Sequence, residues 1–156
     1  MGILHTLGNS IFVRPVPYFV LDDRRLGECR VVSGDDFEEK FLGKREKVIP
    51  ELWLQLYWLD REVEHDELRA ALGVKLRIFA AHLHQLLCLQ IHGQEGWLPA
   101  QDENIEPLLH MENKDGDIEL VEILYSRSQK RWIAGISDDE EALPAGTIIM
   151  AQANAL

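Results

Sequence analysis

The sequence predicts an α+β fold, with helices in the middle of the chain and β-strands on both sides of them. Between residues 75 and 87 the apolar side chains recur at intervals of three and four, which is the periodicity of an amphipathic helix. The C-terminal third instead contains β-branched and aromatic runs separated by turn-forming residues, which is typical of an antiparallel sheet. The chain has 156 residues, 46% of them hydrophobic and 28% charged, so one compact unit or two small domains are expected.

The N-terminal segment, residues 1–47, is predicted to contain strands and one short helix. Residues 11–21 look like a strand, and their two prolines favour an edge strand or an extended arm. A second short strand is expected at residues 29–32. The apolar spacing that follows Asp36 predicts a short amphipathic helix that ends at Gly43.

Three helices and a hairpin are predicted in the central segment, residues 48–99. The first helix, residues 50–59, has proline in its first turn and apolar side chains on almost every side, so we expect it to be buried. The second helix covers residues 66–72 and ends at Gly73, and the third covers residues 75–87. Strand, turn and strand are expected to follow over residues 89–98.

This order of elements resembles a winged helix-turn-helix over about residues 48–98. The resemblance is at the level of the fold, and it implies a core that contains Trp53 and Trp58 and a third helix placed to enter the DNA major groove. Two features depart from the usual pattern. Lys75 stands where a Ser, Thr or Asp cap normally opens the third helix, and only Asp66 is a good cap for the second.

The C-terminal segment, residues 100–156, is predicted to form a small antiparallel sheet. Residues 105–111 are a candidate short helix, and strands are expected at 118–125, 130–136 and 147–151. So short a segment carries more apolar strand surface than it can cover alone. We therefore expect it to pack partly on the helical core and partly on a protein partner or a second copy of the chain.

The net charge of −11 is unevenly distributed along the chain. Residues 91–156 hold 4 basic and 13 acidic residues, a net charge of −9, whereas residues 1–90 carry only −2. The stretch from residue 68 to residue 94 contains no acidic residue, although the chain has 27. An acidic protein is repelled by nucleic acid at long range, but a local basic patch can still bind it.

One face of the predicted third helix, together with the turn of the hairpin, carries the candidate nucleic-acid-binding residues. Cationic side chains contact phosphates, and a Gln amide can bond to base edges in the major groove. The candidates are Lys75, Arg77, Ile78, His82, Gln85 and Gln94. The few cations among them are a small number for tight DNA binding, which usually uses more phosphate contacts.

The histidines and cysteines of the chain are either ligands of a metal site or ordinary buried and solvated side chains. Imidazole and thiolate groups are zinc ligands, and three of them follow one another at intervals of four: His84, Cys88 and His92. His82 and His110 are candidates for a fourth ligand. However, the third helix is predicted to end near Leu87, so we expect no metal. The two cysteines, Cys29 and Cys88, are expected to be reduced thiols, and a disulfide between them stays open.

No motif of a common enzyme class is present, and none of the paired carboxylates lies in an apolar context that suits acid–base work. We therefore expect a non-enzymatic protein without a cofactor. One function is that of a small DNA-binding regulator, in which the winged helix binds double-stranded DNA and the acidic C-terminal part contacts protein. The alternative is a protein–protein adaptor or inhibitor that uses the same fold without DNA. The acid-free stretch favours the regulator. The longest apolar run is too short to span a bilayer, so no membrane contact and a cytoplasmic location are expected.

Overall fold

The computed structural model describes residues 2–91, 106–137 and 142–153. Within these ranges the chain forms nine β-strands, four α-helices and one 3₁₀ turn, Gly73–Lys75. The strands are β1 (Leu4–Val13), β2 (Val16–Val20), β3 (Val31–Ser33), β4 (Arg45–Ile49), β5 (Leu52–Leu59), β6 (Leu108–Glu112), β7 (Ile118–Ser126), β8 (Arg131–Ile136) and β9 (Ile148–Gln152). The helices are α1 (Asp23–Glu28), α2 (Asp35–Phe41), α3 (His65–Leu72) and α4 (Ala80–Ile91).

Seven of the strands form one mixed sheet in the order β1-β5-β9-β6-β7-β8-β3. Neighbours pair antiparallel except at two places, where β6 pairs parallel with β9 and β3 pairs parallel with β8. The strands β2 and β4 form a separate antiparallel ribbon. Consequently β9, the last strand along the chain, lies inside the sheet.

Apolar side chains cover both faces of the central strands. Because successive residues of a strand point to opposite faces, Met150 joins one hydrophobic cluster while Ile149 and Ala151 join the other. The larger cluster includes side chains of α1, α2 and α4, and the smaller one includes Leu68 and Leu72 of α3. The sheet is therefore a middle layer between helices.

The predicted winged helix-turn-helix is wrong. Residues 50–59, expected to be its first helix, form the strand β5, and the architecture is a large mixed sheet with short helices. A central strand that is covered on both faces is apolar at consecutive positions, so its sequence imitates a fully buried helix. Trp53 and Trp58, expected in the core, are exposed and lie near the two ends of β5.

The other two helices of the predicted motif are present with different roles. The helix α3 and its end at Gly73 agree with the prediction. The third helix begins at Ala80 rather than at residue 75 and continues to Ile91, so residues 89–91, predicted as a strand, are helical. The rest of the expected hairpin, residues 92–98, lies outside the described residues.

The flanking segments contribute most of the sheet. The predicted strand at 11–21 is divided between β1 and β2, and β1 already begins at Leu4. The helix α2 and the strands β3, β7, β8 and β9 are confirmed within a residue or two. The predicted helix at 105–111 is wrong, because β6 occupies residues 108–112, and the C-terminal strands belong to the large sheet rather than to a small one of their own.

Candidate functional site

The residues predicted to bind nucleic acid do not share one exposed face. Ile78 and His82 are fully buried. Lys75 is half-buried and belongs to the 3₁₀ turn, so it lies before α4 and not on it. Gln94 lies outside the described residues.

The two remaining candidates are engaged in contacts within the protein. The Nη1 atom of Arg77 lies 3.0 Å from a carboxylate oxygen of Glu112. The guanidinium carbon of Arg77 lies 4.4 Å from the ring centre of Phe79. The Gln85 side chain accepts a hydrogen bond from the N–H of Arg14 and donates one to its carbonyl, both at 3.0 Å. These contacts occupy the groups that were expected to meet phosphates and base edges.

A buried carboxylate determines where α4 begins. The two oxygens of Glu46 accept hydrogen bonds from the N–H groups of Ala80 and Ala81, at 2.9 and 3.0 Å. The Nζ atom of Lys44 lies 3.3 Å from Glu46 and donates to the carbonyl of Glu112. Burial lowers the pKa of Lys44, and Glu46 opposes this shift. The first N–H groups of a helix have no partner within it, so a carboxylate there sets its start.

Two thiols and an imidazole meet between α1 and α4. Cys29, which directly follows α1, is 1% exposed, whereas Cys88 and His84 on α4 are partly exposed. The Sγ atoms of Cys29 and Cys88 lie 2.6 Å apart, and the Cys88 Sγ lies 3.7 Å from the Nε2 of His84. Their three potential ligand atoms all lie within 4.8 Å of one another.

A carboxylate completes this group, which we call the thiol–imidazole cluster: Glu28, Cys29, His84 and Cys88. The Oε1 atom of Glu28 lies 3.3 Å from the Nε2 of His84. The same oxygen lies 3.4 Å from Nη1 of Arg25. The Cys29 thiol is 3.4 Å from the carbonyl oxygen of His84 and donates to it. The last turn of α1 and the residue after it therefore supply the Cys29 thiol, the Glu28 carboxylate and the positive charge of Arg25.

Burial favours the neutral forms of the two thiols and of the imidazole. It raises the pKa of Cys29, and the hydrogen bond with Cys88 adds to the effect. Burial likewise raises the pKa of Cys88 and lowers that of His84. A reactive cysteine needs a lowered pKa, because the thiolate is the nucleophile. As free thiols these two cysteines are therefore not activated for attack.

The arrangement is also not a catalytic triad. In a triad the imidazole uses one nitrogen toward the nucleophile and the other toward the carboxylate. Here the Nε2 atom of His84 faces both Glu28 and Cys88. Two sulfur atoms and an imidazole nitrogen within 4.8 Å of one another are instead typical of a metal-binding site.

The sequence predicted that His84 and Cys88 lie together, but it did not indicate that Cys29 and Glu28 lie beside them. His84 and Cys88 share one face of α4, as their spacing predicted, and the helix extends beyond the expected end at Leu87. His92 lies outside the described residues, and the group of potential ligands found within the described part includes neither His82 nor His110. The third potential ligand atom belongs to Cys29, which directly follows α1 and lies 59 positions before Cys88 in the sequence. Residues 22–27 have the composition of a turn, so nothing local indicated this meeting.

A second feature lies at one end of the strand order, and we call it the β1 edge: the strand Leu4–Val13 together with Trp53. Within the described residues β1 pairs with β5 alone. None of its ten residues is Lys, Arg, Asp, Glu or Pro. Phe12 and Trp53 stand opposite each other in the register, 42% and 54% exposed, with ring centres 5.3 Å apart.

A buried amide stabilises an irregularity in this strand. The register with β5 shifts between Leu7 and Ile11, and Gly8 has a φ of +72°. The side-chain N–H₂ of Gln55 donates to the carbonyls of Leu7 and Gly8, and its oxygen accepts from the Ser10 hydroxyl. The Gln55 side chain therefore satisfies backbone carbonyls that the bulge removes from the pairing with β5.

No protein-family model, curated protein sequence or solved structure matches this chain. The thiol–imidazole cluster and the β1 edge are accordingly interpreted from their own geometry and chemistry. The helices that the structure describes include none that is both long enough and apolar enough to cross a membrane.

Proposed function

We propose that this protein is a non-enzymatic protein-binding module, an adaptor or inhibitor, that takes a basic, extended segment of another protein as an added strand along β1. The observation that carries the proposal is the uncharged ten-residue edge strand. The outer side of an edge strand offers a row of N–H and C=O groups, which pair readily with an extended peptide. Proteins usually protect such an edge with charges, prolines or bulges, and β1 has the bulge between Leu7 and Ile11 but no Lys, Arg, Asp, Glu or Pro.

The aromatic pair supplies a place for side chains of the added strand. Phe12 lies on β1 itself, so a residue of a neighbouring strand comes directly beside it. Trp53 lies one strand further in on the same face, within reach of a long side chain. A Lys or Arg head group over an exposed indole gains about 0.5–1 kcal/mol from the cation–π interaction.

The net charge of the protein favours a positively charged partner. At −11 the protein attracts basic segments at long range and repels a second copy of itself. Because β1 carries no charge of its own, this attraction speeds the association with a basic peptide. Backbone pairing and the aromatic contacts then stabilise the complex.

The positions of the predicted DNA-binding residues favour protein binding over the DNA-binding regulator. DNA binding stays a prediction, but two of its candidate residues, Ile78 and His82, are buried, and two others, Arg77 and Gln85, are engaged within the protein. Contacts of the acidic C-terminal part with a partner or a second copy also stay predictions.

Selection of peptides from a random display library tests the proposal and requires no identified partner. We expect the recovered peptides to be rich in β-branched residues with Lys or Arg between them. They should slow amide hydrogen exchange along β1, and their affinity should fall as salt is raised. Replacement Trp53→Lys puts a positive charge beside the basic peptide and should weaken binding about tenfold or more.

Ile133→Lys is the matched control, because Ile133 is also an exposed apolar residue of the sheet but lies on β8, far along the strand order. This variant should bind the peptides as the wild type does. Equal binding by both variants, or peptides that leave β1 exchange unchanged, would show that the β1 edge is not the binding site. Circular dichroism confirms that both variants are folded.

A further inference from the structure

We propose that the thiol–imidazole cluster is a Zn²⁺ site. Its ligands are the Sγ atoms of Cys29 and Cys88 and the Nε2 of His84, which lie within 4.8 Å of one another. A carboxylate oxygen of Glu28, 3.3 Å from that Nε2 atom, is the fourth ligand, and its exposed side chain rotates toward the sulfur atoms when the ion binds. The site is independent of the β1 edge, since none of its residues belongs to that surface.

Two of the distances between the ligand atoms already match those around a tetrahedral zinc ion. With bonds of about 2.3 Å to sulfur and about 2.0–2.2 Å to nitrogen and oxygen, neighbouring ligand atoms lie about 3.3–3.8 Å apart. The Nε2 of His84 lies 3.7 Å from the Cys88 Sγ and 3.3 Å from the Glu28 Oε1. The two sulfur atoms, at 2.6 Å, must separate by about 1.2 Å to accept the ion. Cys88 is partly exposed, so rotation of its side chain supplies this movement.

Two packed helices place the ligands. His84 and Cys88 are four residues apart on α4 and therefore lie on the same face. Cys29 follows the last turn of α1, where its N–H donates to the carbonyls of Leu26 and Gly27. Because α1 and α4 contact each other within the larger hydrophobic cluster, the two sulfur atoms and the imidazole nitrogen are close before any metal arrives.

The charges of the site balance when zinc is bound. Binding replaces the two thiol protons with one Zn²⁺, so two thiolates and two released protons result. With the Glu28 carboxylate the ligands carry −3, which the ion and the guanidinium of Arg25, 3.4 Å from Glu28, neutralise together. A divalent ion thus offsets the cost that burial imposes on the thiolates.

A disulfide between Cys29 and Cys88 is the competing use of the same sulfurs. It requires an external oxidant, and it gives no role to the imidazole of His84, which lies beside the Cys88 sulfur, or to the carboxylate of Glu28, which lies beside that imidazole. The imidazole nitrogen beside the two sulfur atoms is therefore better explained by a metal ion than by a bond between the sulfurs alone.

Titration of the reduced, metal-stripped full chain with Co²⁺ tests the site, because tetrahedral cobalt bound to thiolates has characteristic visible bands and a sulfur charge-transfer band. We expect one Co²⁺ per chain, displacement of it by one Zn²⁺, and release of two protons per metal near neutral pH. Loss of an outer partner of a metal ligand already costs 10- to 100-fold in affinity, so loss of a ligand in Cys88→Ser or His84→Gln should cost on the order of 100-fold.

His5→Gln is the control, because His5 is an exposed histidine on β1 and lies outside the cluster. It should bind Co²⁺ as the wild type does. Cys88 is partly exposed, so its serine variant is expected to stay folded, which circular dichroism checks. If the reduced wild type gives no tetrahedral spectrum, or if Cys88→Ser binds as tightly as the wild type, the cluster is not a zinc site. Neither result bears on peptide binding at the β1 edge.

Discussion

At the scale of single residues, the buried pair of Lys44 and Glu46 connects several elements of the fold. Their side chains are 6% and 3% exposed, and each has other partners besides the ion pair. Glu46 accepts from the first N–H groups of α4, and Lys44 donates to the carbonyl of Glu112 on β6. The pair therefore links the β2–β4 ribbon, the sheet and the helix that carries two of the proposed zinc ligands.

Replacement Glu46→Ala should lower the free energy of unfolding by about 3–5 kcal/mol, because it leaves Lys44 buried without a counter-charge and the start of α4 without its acceptor. Urea unfolding followed by circular dichroism measures this loss. The double variant Lys44→Met/Glu46→Gln removes both charges and should recover part of it. Equal losses in the single and double variants would show that the unpaired charge is not the cause.

At the scale of elements, the end of α3 depends on a backbone conformation that only glycine adopts easily. Gly73 follows the last residue of the helix with φ +57° and ψ −131°, far from the regions open to residues with a Cβ. No atom lies within 4 Å of a Cβ added there, so the restriction comes from the backbone alone.

We expect Gly73→Ala to lower the free energy of unfolding by about 1–3 kcal/mol through this strain. Gly27→Ala is the matched control, because Gly27 lies in α1, has no positive φ and has equally open space around its Cβ position. Alanine is the better helix former, so this variant should be neutral or more stable by about 0.5–1 kcal/mol. Thermal unfolding compares the two. A Gly73→Ala protein as stable as the wild type would contradict the strain argument.

At the scale of the whole molecule, the strand β9 joins two halves of the sheet. It pairs with β5 on one side and with β6 on the other, so β1 and β5 are connected through it to β6, β7, β8 and β3. Residues 149–151 also contribute to both hydrophobic clusters. Folding of the sheet therefore requires the C-terminal end of the chain.

A chain that ends at Gly146 lacks β9 and should lose cooperative unfolding, because both halves of the sheet then expose an unpaired apolar edge. A chain that ends at Ala153 keeps every described strand and is the matched control, expected to unfold as the full chain does. Solubility and urea unfolding of the two chains measure the difference. A cooperative transition in the shorter chain at the wild-type midpoint would mean that β9 is dispensable.

The sequence alone was sufficient for elements that short-range signals determine. The helix α2, the end of α3 at Gly73 and the strands β7 and β8 were predicted from caps, apolar spacing and turn residues that act within a few positions. The shared face of His84 and Cys88 followed from the same helical geometry.

Only the tertiary structure decided the remaining features. The apolar residues of β5 satisfy the pattern of a buried helix as well as that of a strand covered on both faces, and the pairing with β1 and β9 selects the strand. The start of α4 depends on Glu46, which lies 34 positions before Ala80. Cys29 meets Cys88 because α1 packs on α4. These contacts join distant segments, and local patterns in a sequence carry no information about which distant segment comes near.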